Sequence, residues 1–221
     1  QEAKEIKKLV GTARLVETVY NLVNLECDEL DSSTSERTNR DKGFFKILFL
    51  SRIHEKKGIE ILLEAVSTLS VPCSVTIVGD GDARYLNILK NKADKLQVSD
   101  RISWRSAVVG TEKFKMFGTH DLFVLPSYNE NFANVVIESL SVGTPVIVSD
   151  QVGLADFVSE HDLGWICKTE SQSLAESIEE AFYDIEKRRR INSVAPQIIN
   201  NHFSAEVLTE AYLNLYKAAR S

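Results

Sequence analysis

Two carboxylates eight positions apart, Glu130 and Glu138, flank the predicted start of a helix and are the side chains best placed for chemistry. The free amides and positive dipole end of a helix start suit a phosphate group. A carboxylate on each side suits hydroxyl groups on each side of that phosphate. The spacing therefore favours a nucleotide-sugar, whose diphosphate lies between a ribose and a hexose. A solvated Glu138 and a Glu130 that only stabilises the helix dipole would give the same pattern.

A second candidate segment, residues 51–58, follows the first predicted strand. Arg52 can bind phosphate oxygens through its planar fork, and Lys57 can act as a point charge. Gly58 allows close entry into the next helix. The alternative is that Arg52 serves a structural ion pair and Lys57 is a surface charge.

Two further motifs give weaker signals. Gly79-Asp-Gly-Asp-Ala-Arg84 resembles a dinucleotide-binding fingerprint, but it follows the second strand and has arginine at the third glycine position. It therefore predicts a tight turn. The basic run 187–190 lies near a predicted helix C-terminus, where cations interact favourably with the helix dipole, and the alternative is contact with anionic lipid.

The elements that position these segments alternate along the chain. Short apolar runs typical of buried parallel strands occur at 45–50, 74–78, 101–104, 122–125, 145–149 and 164–167. Helical periodicity occurs at 58–69, 85–96, 112–117, 134–140, 174–185, 188–199 and 204–219, with Ser204 as a predicted N-cap and Asn129 or Asn131 as the predicted cap before 134. The alternation predicts an α/β fold, a doubly wound Rossmann-like parallel sheet with helices on both faces. Ligands of such sheets bind beyond the carboxyl ends of the strands, where the candidate loops converge.

Composition excludes several classes of protein. The net charge of −6 argues against a general nucleic-acid binder. Three scattered cysteines and four scattered histidines predict neither a disulfide framework nor a metal site, and the thiols are expected to be reduced. No apolar run reaches the length of about 18 residues that a membrane-spanning helix needs. The chain begins with Gln1, so a fragment or processed product is expected.

Taken together, these residues resemble a known family. Phe49-Leu-Ser-Arg52 with Lys57-Gly58, Val78-Gly-Asp-Gly81, the segment 121–138 with its two glutamates, and Gly143-Thr-Pro-Val146 look like linked motifs of the retaining glycosyltransferases of family 4. These enzymes have the GT-B fold, and the match is to their C-terminal, donor-binding domain. The family often has glycine at the position of Ala133.

The resemblance implies roles for individual residues. Arg52 and Lys57 would hold the donor diphosphate and stabilise the departing nucleoside diphosphate. Glu130 would bind hydroxyls of the transferred sugar, and Glu138 would accept from the ribose hydroxyls. The remaining implied donor-binding positions are the amides of Asn131, Phe132 and Ala133, the strand end at Gly79, and Arg105 in a loop predicted to contact the base.

The resemblance also implies a domain organisation and partners. Residues 1–42 would be the tail of an acceptor domain and a polar linker, 43–203 the donor-binding domain, and 204–221 a crossover helix. The expected donor is a UDP- or GDP-sugar, with no metal and no cofactor, and the expected acceptor is a glycan or lipid-linked molecule. We expect the enzyme in the cytoplasm, with peripheral association at the inner membrane face as a further expectation, and the isolated chain weakly active or inactive. A non-hydrolysing sugar-nucleotide epimerase and a non-catalytic nucleotide-binding module are the alternatives.

Overall fold

The structure, a computed structural model, describes residues 45–218. The predicted tail and linker at 1–42 lie outside this range. The predicted helix from Ser204 is present, and the Ser204 hydroxyl accepts a hydrogen bond from the Val207 amide at 3.4 Å, as an N-cap does. Whether this helix crosses to another domain stays a prediction.

Six parallel strands form one sheet in the order β3-β2-β1-β4-β5-β6. The central strands are buried along nearly their whole length, because helices cover both faces of a parallel sheet. The strands are β1 (Phe45–Leu50), β2 (Cys73–Val78), β3 (Ile102–Arg105), β4 (Leu122–Leu125), β5 (Val146–Ser149) and β6 (Gly164–Cys167).

Eight α-helices accompany the strands in residues 45–218. They are α1 (Ile59–Thr68), α2 (Ala83–Lys95), α3 (Gly110–Thr119), α4 (Asn134–Ser141), α5 (Ala155–Glu160), α6 (Ser171–Tyr183), α7 (Ile185–Phe203) and α8 (Ala205–Ala218). Helix α1 packs against α2 and α6, whereas α4 packs against α3 and α7. The predicted fold class is therefore confirmed, and the strand order places a reversal between β1 and β4, where doubly wound sheets bind ligands.

The basic run 187–190 lies in the first turns of α7, directly after the C-terminus of α6 at Tyr183. Arg188 donates to the Phe182 carbonyl in the last turn of α6 at 3.2 Å, so the predicted interaction with a helix C-terminus is present. Lys187 forms an ion pair with Asp162 at 2.7 Å and lies over the Trp165 ring. Arg190 also pairs with Asp162, and Arg188 stacks 4.9 Å from the centroid of the Phe45 ring. Contacts within the chain thus offset the unfavourable dipole at this helix start.

Within residues 45–218, none of the helices combines the length and the apolar character that crossing a bilayer requires. Cys73 and Cys167 are buried free thiols, and Cys27 lies outside the described range.

Candidate functional site

The loops at the carboxyl edge of the sheet are held together by close backbone contacts. Gly58 ends the short 3-10 helix Glu55–Lys57 with a φ of 68°, and a Cβ there would lie 2.1 Å from the Pro126 carbonyl oxygen. Only glycine fits this approach, because other residues would clash and rarely adopt a positive φ. The Tyr128 amide donates to the Lys56 carbonyl at 2.9 Å. The loop after β1 therefore lies directly against the loop after β4.

The start of α4 is uncapped by any side chain, and Asn131 and Asn134 on either side of it are exposed. Ala133 is the N-cap, with a φ of 62°, and makes no side-chain cap hydrogen bond, so the predicted cap by Asn129 or Asn131 was wrong. Within residues 45–218, the amides of Asn131 and Ala133 form no hydrogen bond. Amides left unused at a helix start are suited to binding an anion.

Lys57 and Glu130 form an ion pair between the two neighbouring loops. The Lys57 and Glu130 side chains are 12% and 22% exposed, so both are largely shielded from solvent. The backbone of Glu130 is anchored separately, since its amide donates to the Gln151 carbonyl and its carbonyl accepts from the Gly153 amide. The predicted phosphate-binding lysine and the predicted sugar-binding glutamate thus contact each other.

A cleft of about 610 Å³ opens at the ends of β1 and β2, beside α4. Three of the predicted residues line it, namely Arg52, Gly79 and Glu138, together with Asn134 at the start of α4. Its volume lies in the range of about 300–1,000 Å³ that is usual for small-molecule sites. Arg52 is exposed and forms no ion pair within residues 45–218, so its guanidinium is available to an anionic ligand.

Glu138 is buried in the wall of this cleft. Its side chain is 8% exposed, and its Oε1 atom accepts from Lys113 Nζ at 2.6 Å. Its second oxygen, Oε2, is buried and has no hydrogen-bond partner. Lys113, on α3, also lines the cleft. A buried carboxylate oxygen without a donor is costly, and a hydroxyl group of a ligand would satisfy it.

A smaller cavity of about 390 Å³ adjoins the cleft and shares Arg52 with it. Tyr85 lines this cavity, and burial, followed by the neighbouring Glu60 carboxylate, raises the pKa of its phenol. The phenol is therefore protonated and uncharged at neutral pH.

Arg105 lies at the end of β3, with its guanidinium 3.7 Å from Met116 Sδ. Its carbonyl accepts from the Gly79 amide at 3.0 Å, which joins the ends of β2 and β3. From the segment after β3, the residues that line the cleft are Ala107 and Val108. The contact of Arg105 with a base stays a prediction.

The predicted residues therefore fall into two neighbouring groups. Arg52, Gly79 and Glu138 line the cleft, while Lys57 and Glu130 pair beside it. Phe132 is half-buried, and its ring centroid lies 6.1 Å from that of Phe203 at the end of α7. Lys113 was not predicted from the sequence. It lies in a helical segment 25 positions before Glu138, and nothing in the sequence indicates that the two side chains are in contact.

No group of three His, Cys, Asp or Glu side chains is arranged to hold a metal ion in the part of the chain that the structure describes. The metal-free mechanism implied by the resemblance stays a prediction.

Comparison with known proteins decides the family. The model of the family described as glycosyl transferases group 1 matches residues 32–197. The chain belongs to this family. The lipopolysaccharide core biosynthesis glycosyltransferase LpsE of Rhizobium meliloti is 30% identical over 170 residues, which cover 76% of this chain and 48% of LpsE. The chain spans about half the length of the relatives it matches.

Solved structures share the fold. Anabaena HepE in complex with UDP and glucose aligns with a TM-score of 0.81 at 22% identity, over 98% of this chain and 60% of that protein. The C-terminal domain of the group 1 glycosyltransferase LpcC from Francisella tularensis aligns with a TM-score of 0.69 at 15% identity. That alignment covers 84% of this chain and the whole of the LpcC domain. The predicted GT-B relationship is confirmed.

Proposed function

We propose that this chain is the donor-binding part of a retaining glycosyltransferase that uses a UDP- or GDP-sugar. The observation that carries the proposal is the burial of Glu138 in the cleft wall with Oε2 lacking a partner. Such an oxygen suits a ribose hydroxyl, which would donate to it. The cleft also contains the exposed guanidinium of Arg52 and adjoins the uncapped start of α4. Both features suit the diphosphate that follows the ribose in a nucleotide-sugar.

In this proposal, different residues bind successive parts of the donor. Glu138 binds the ribose, and Arg52, Lys57 and the amides of Asn131 and Ala133 neutralise the diphosphate. Glu130, which contacts Lys57, binds hydroxyls of the transferred sugar. As the bond between the anomeric carbon and the phosphate oxygen breaks, these cations and amides stabilise the negative charge on the departing nucleoside diphosphate.

Retention of configuration follows from attack on the face that the leaving group vacates. The acceptor hydroxyl forms the new bond to the anomeric carbon, and its proton passes to the departing phosphate oxygen. The products are the glycosylated acceptor and a nucleoside diphosphate. The acceptor, a glycan or lipid-linked molecule, binds outside residues 45–218 in this proposal. Cytoplasmic location and peripheral contact with the membrane stay predictions.

Isothermal titration calorimetry of the 221-residue chain with UDP, GDP, UDP-glucose and GDP-mannose tests this function. We expect one of the two nucleotide classes to bind and to raise the unfolding temperature through linkage. Glu138→Ala is expected to weaken binding by about 1–3 kcal/mol, as for loss of a hydrogen-bond partner to a charged group. Absence of binding by both classes, or unchanged affinity in Glu138→Ala, would contradict the proposal.

Product analysis of the full-length enzyme separates transfer from epimerisation. Transfer releases free nucleoside diphosphate, whereas an epimerase returns an altered sugar-nucleotide. We expect nucleoside diphosphate and a glycoside with the anomeric configuration of the donor.

A further inference from the structure

Lys113 and Glu138 join the two helices that border the cleft. Lys113 is in the first turns of α3, after the β3 end, and Glu138 is in the second turn of α4. Their Nζ and Oε1 atoms are 2.6 Å apart, and the side chains are 23% and 8% exposed. Both residues line the cleft. The ion pair is therefore part of the ligand site and shielded from most solvent screening.

The pair leaves one acceptor of Glu138 unused. Lys113 contacts one of the two carboxylate oxygens, and the other, Oε2, is buried without a hydrogen-bond partner in a residue that lines the cleft. An ion pair with a single carboxylate oxygen restricts the rotation of that carboxylate, because turning it would break the short contact. Lys113 also supplies a positive charge next to the buried Glu138 carboxylate, which offsets part of the cost of burying it.

We propose that Lys113 is a positioning residue for nucleotide recognition: it holds the Glu138 carboxylate oriented so that Oε2 accepts from the ribose hydroxyls. The inference rests on the proposed function, since it assigns the ribose to Glu138. It adds a residue from α3 to the site. It also makes a chemical prediction: Lys113 contributes to affinity only when the nucleotide carries ribose hydroxyls.

Calorimetry with matched nucleotides tests this role. The probes are UDP and GDP, and their 2′,3′-dideoxy forms, which keep the base and the diphosphate. We expect Lys113→Met to weaken the preferred ribonucleotide by about tenfold, the size of one charged hydrogen bond, and to leave its dideoxy form within about twofold. Lys113→Arg should restore most of the affinity, since it can still donate to Oε1. Lys115→Met, an exposed position on the same helix, is the matched control and should change nothing.

A double-mutant cycle shows whether Lys113 acts through Glu138. We expect Lys113→Met to have no further effect in a Glu138→Gln background, because the oriented carboxylate is already lost. Lys113→Met leaves the buried Glu138 carboxylate without a partner, and if that variant fails to fold, Lys113→Gln provides the test. The glutamine amide can donate to Oε1 of Glu138, and we expect the affinity for the ribonucleotide to fall by about threefold and that for the dideoxy form to stay unchanged.

Several results would overturn the role of Lys113. An equal loss for the ribonucleotide and its dideoxy form would show that Lys113 contacts the diphosphate or the base. Unchanged ribonucleotide affinity in Lys113→Met, beside a clear loss in Glu138→Gln, would refute Lys113 while leaving the proposed function intact. Absence of UDP and GDP binding by the unmodified chain would instead refute the proposed function.

Discussion

Lys57 and Glu130, 73 positions apart in the sequence, form an ion pair across the loops that follow β1 and β4. The pair places the predicted diphosphate-binding cation against the predicted sugar-binding carboxylate. In the proposed function, the donor phosphates and the Glu130 carboxylate would therefore compete for the Lys57 ammonium group.

Removing the ammonium group should weaken diphosphate binding. We expect Lys57→Met to reduce the affinity for UDP or GDP by about ten- to hundredfold, because a charged hydrogen bond to phosphate is lost. Calorimetry measures the change. Lys56→Met is the control, since Lys56 is exposed and forms no ion pair within residues 45–218. Equal losses in the two variants would indicate a non-specific effect of charge on affinity.

Removing the charge of the Glu130 carboxylate should change the affinity for free nucleotides and the affinity for sugar-nucleotides differently. We expect Glu130→Gln to bind free UDP or GDP about two- to fivefold more tightly, because Lys57 no longer interacts with a competing anion. The same variant should gain no affinity for the corresponding sugar-nucleotide, since a contact to the sugar hydroxyls is weakened. The ratio of the two dissociation constants is the measurement, and a parallel change for both ligands would contradict the assignment of Glu130 to the sugar.

The close approach at Gly58 should make the loop after β1 intolerant of a side chain. We expect Gly58→Ala to lower the free energy of unfolding by about 2–4 kcal/mol, because the new Cβ would meet the Pro126 carbonyl and φ is positive. Urea unfolding with an unchanged m-value gives the difference. Gly110→Ala is the matched control. Its φ is 59° and a Cβ there meets nothing within 4 Å, so only a conformational cost of about 1 kcal/mol is expected.

Ala133 stores backbone strain at the start of α4. Its φ of 62° is unfavourable for a residue with a Cβ, so Ala133→Gly should raise the free energy of unfolding by about 1 kcal/mol. Gln97, with a φ of 57°, is exposed and does not line the cleft. We expect Gln97→Gly to stabilise the fold similarly. A change in UDP or GDP affinity confined to Ala133→Gly would show that the Ala133 methyl restricts the donor site.

The buried thiol of Cys167 should make stability fall at high pH. Burial, followed by the nearby Asp150 carboxylate, raises its pKa from 9.0 to about 12. The folded state holds the proton more tightly, so this contribution is complete below pH 9 and is lost as pH rises towards 12. Urea unfolding at pH 7.5, 9 and 10 measures the free energy of unfolding of the unmodified chain and of Cys167→Ala. We expect this free energy to fall more steeply with pH in the unmodified chain, by at most about 1.4 kcal/mol per pH unit. Parallel slopes for the two proteins would contradict this.

The sequence by itself determined the fold class and the loops that border the candidate site. Apolar runs at β1, β4 and β5 and helical periodicity between them depend on local composition, so they are readable without coordinates. The two glutamates on either side of the start of α4 were recognised for the same reason, because their spacing around a helix start is local.

Only the tertiary structure decided which side chains meet. The pairing of Lys57 with Glu130, and of Lys113 with Glu138, joins residues from loops and helices that the sheet order brings together over 73 and 25 positions. The uncapped start of α4 at Ala133 likewise depends on packing, which overrode local preference. Long-range contacts of this kind arise from the sheet topology, and residue types along the chain do not encode them position by position.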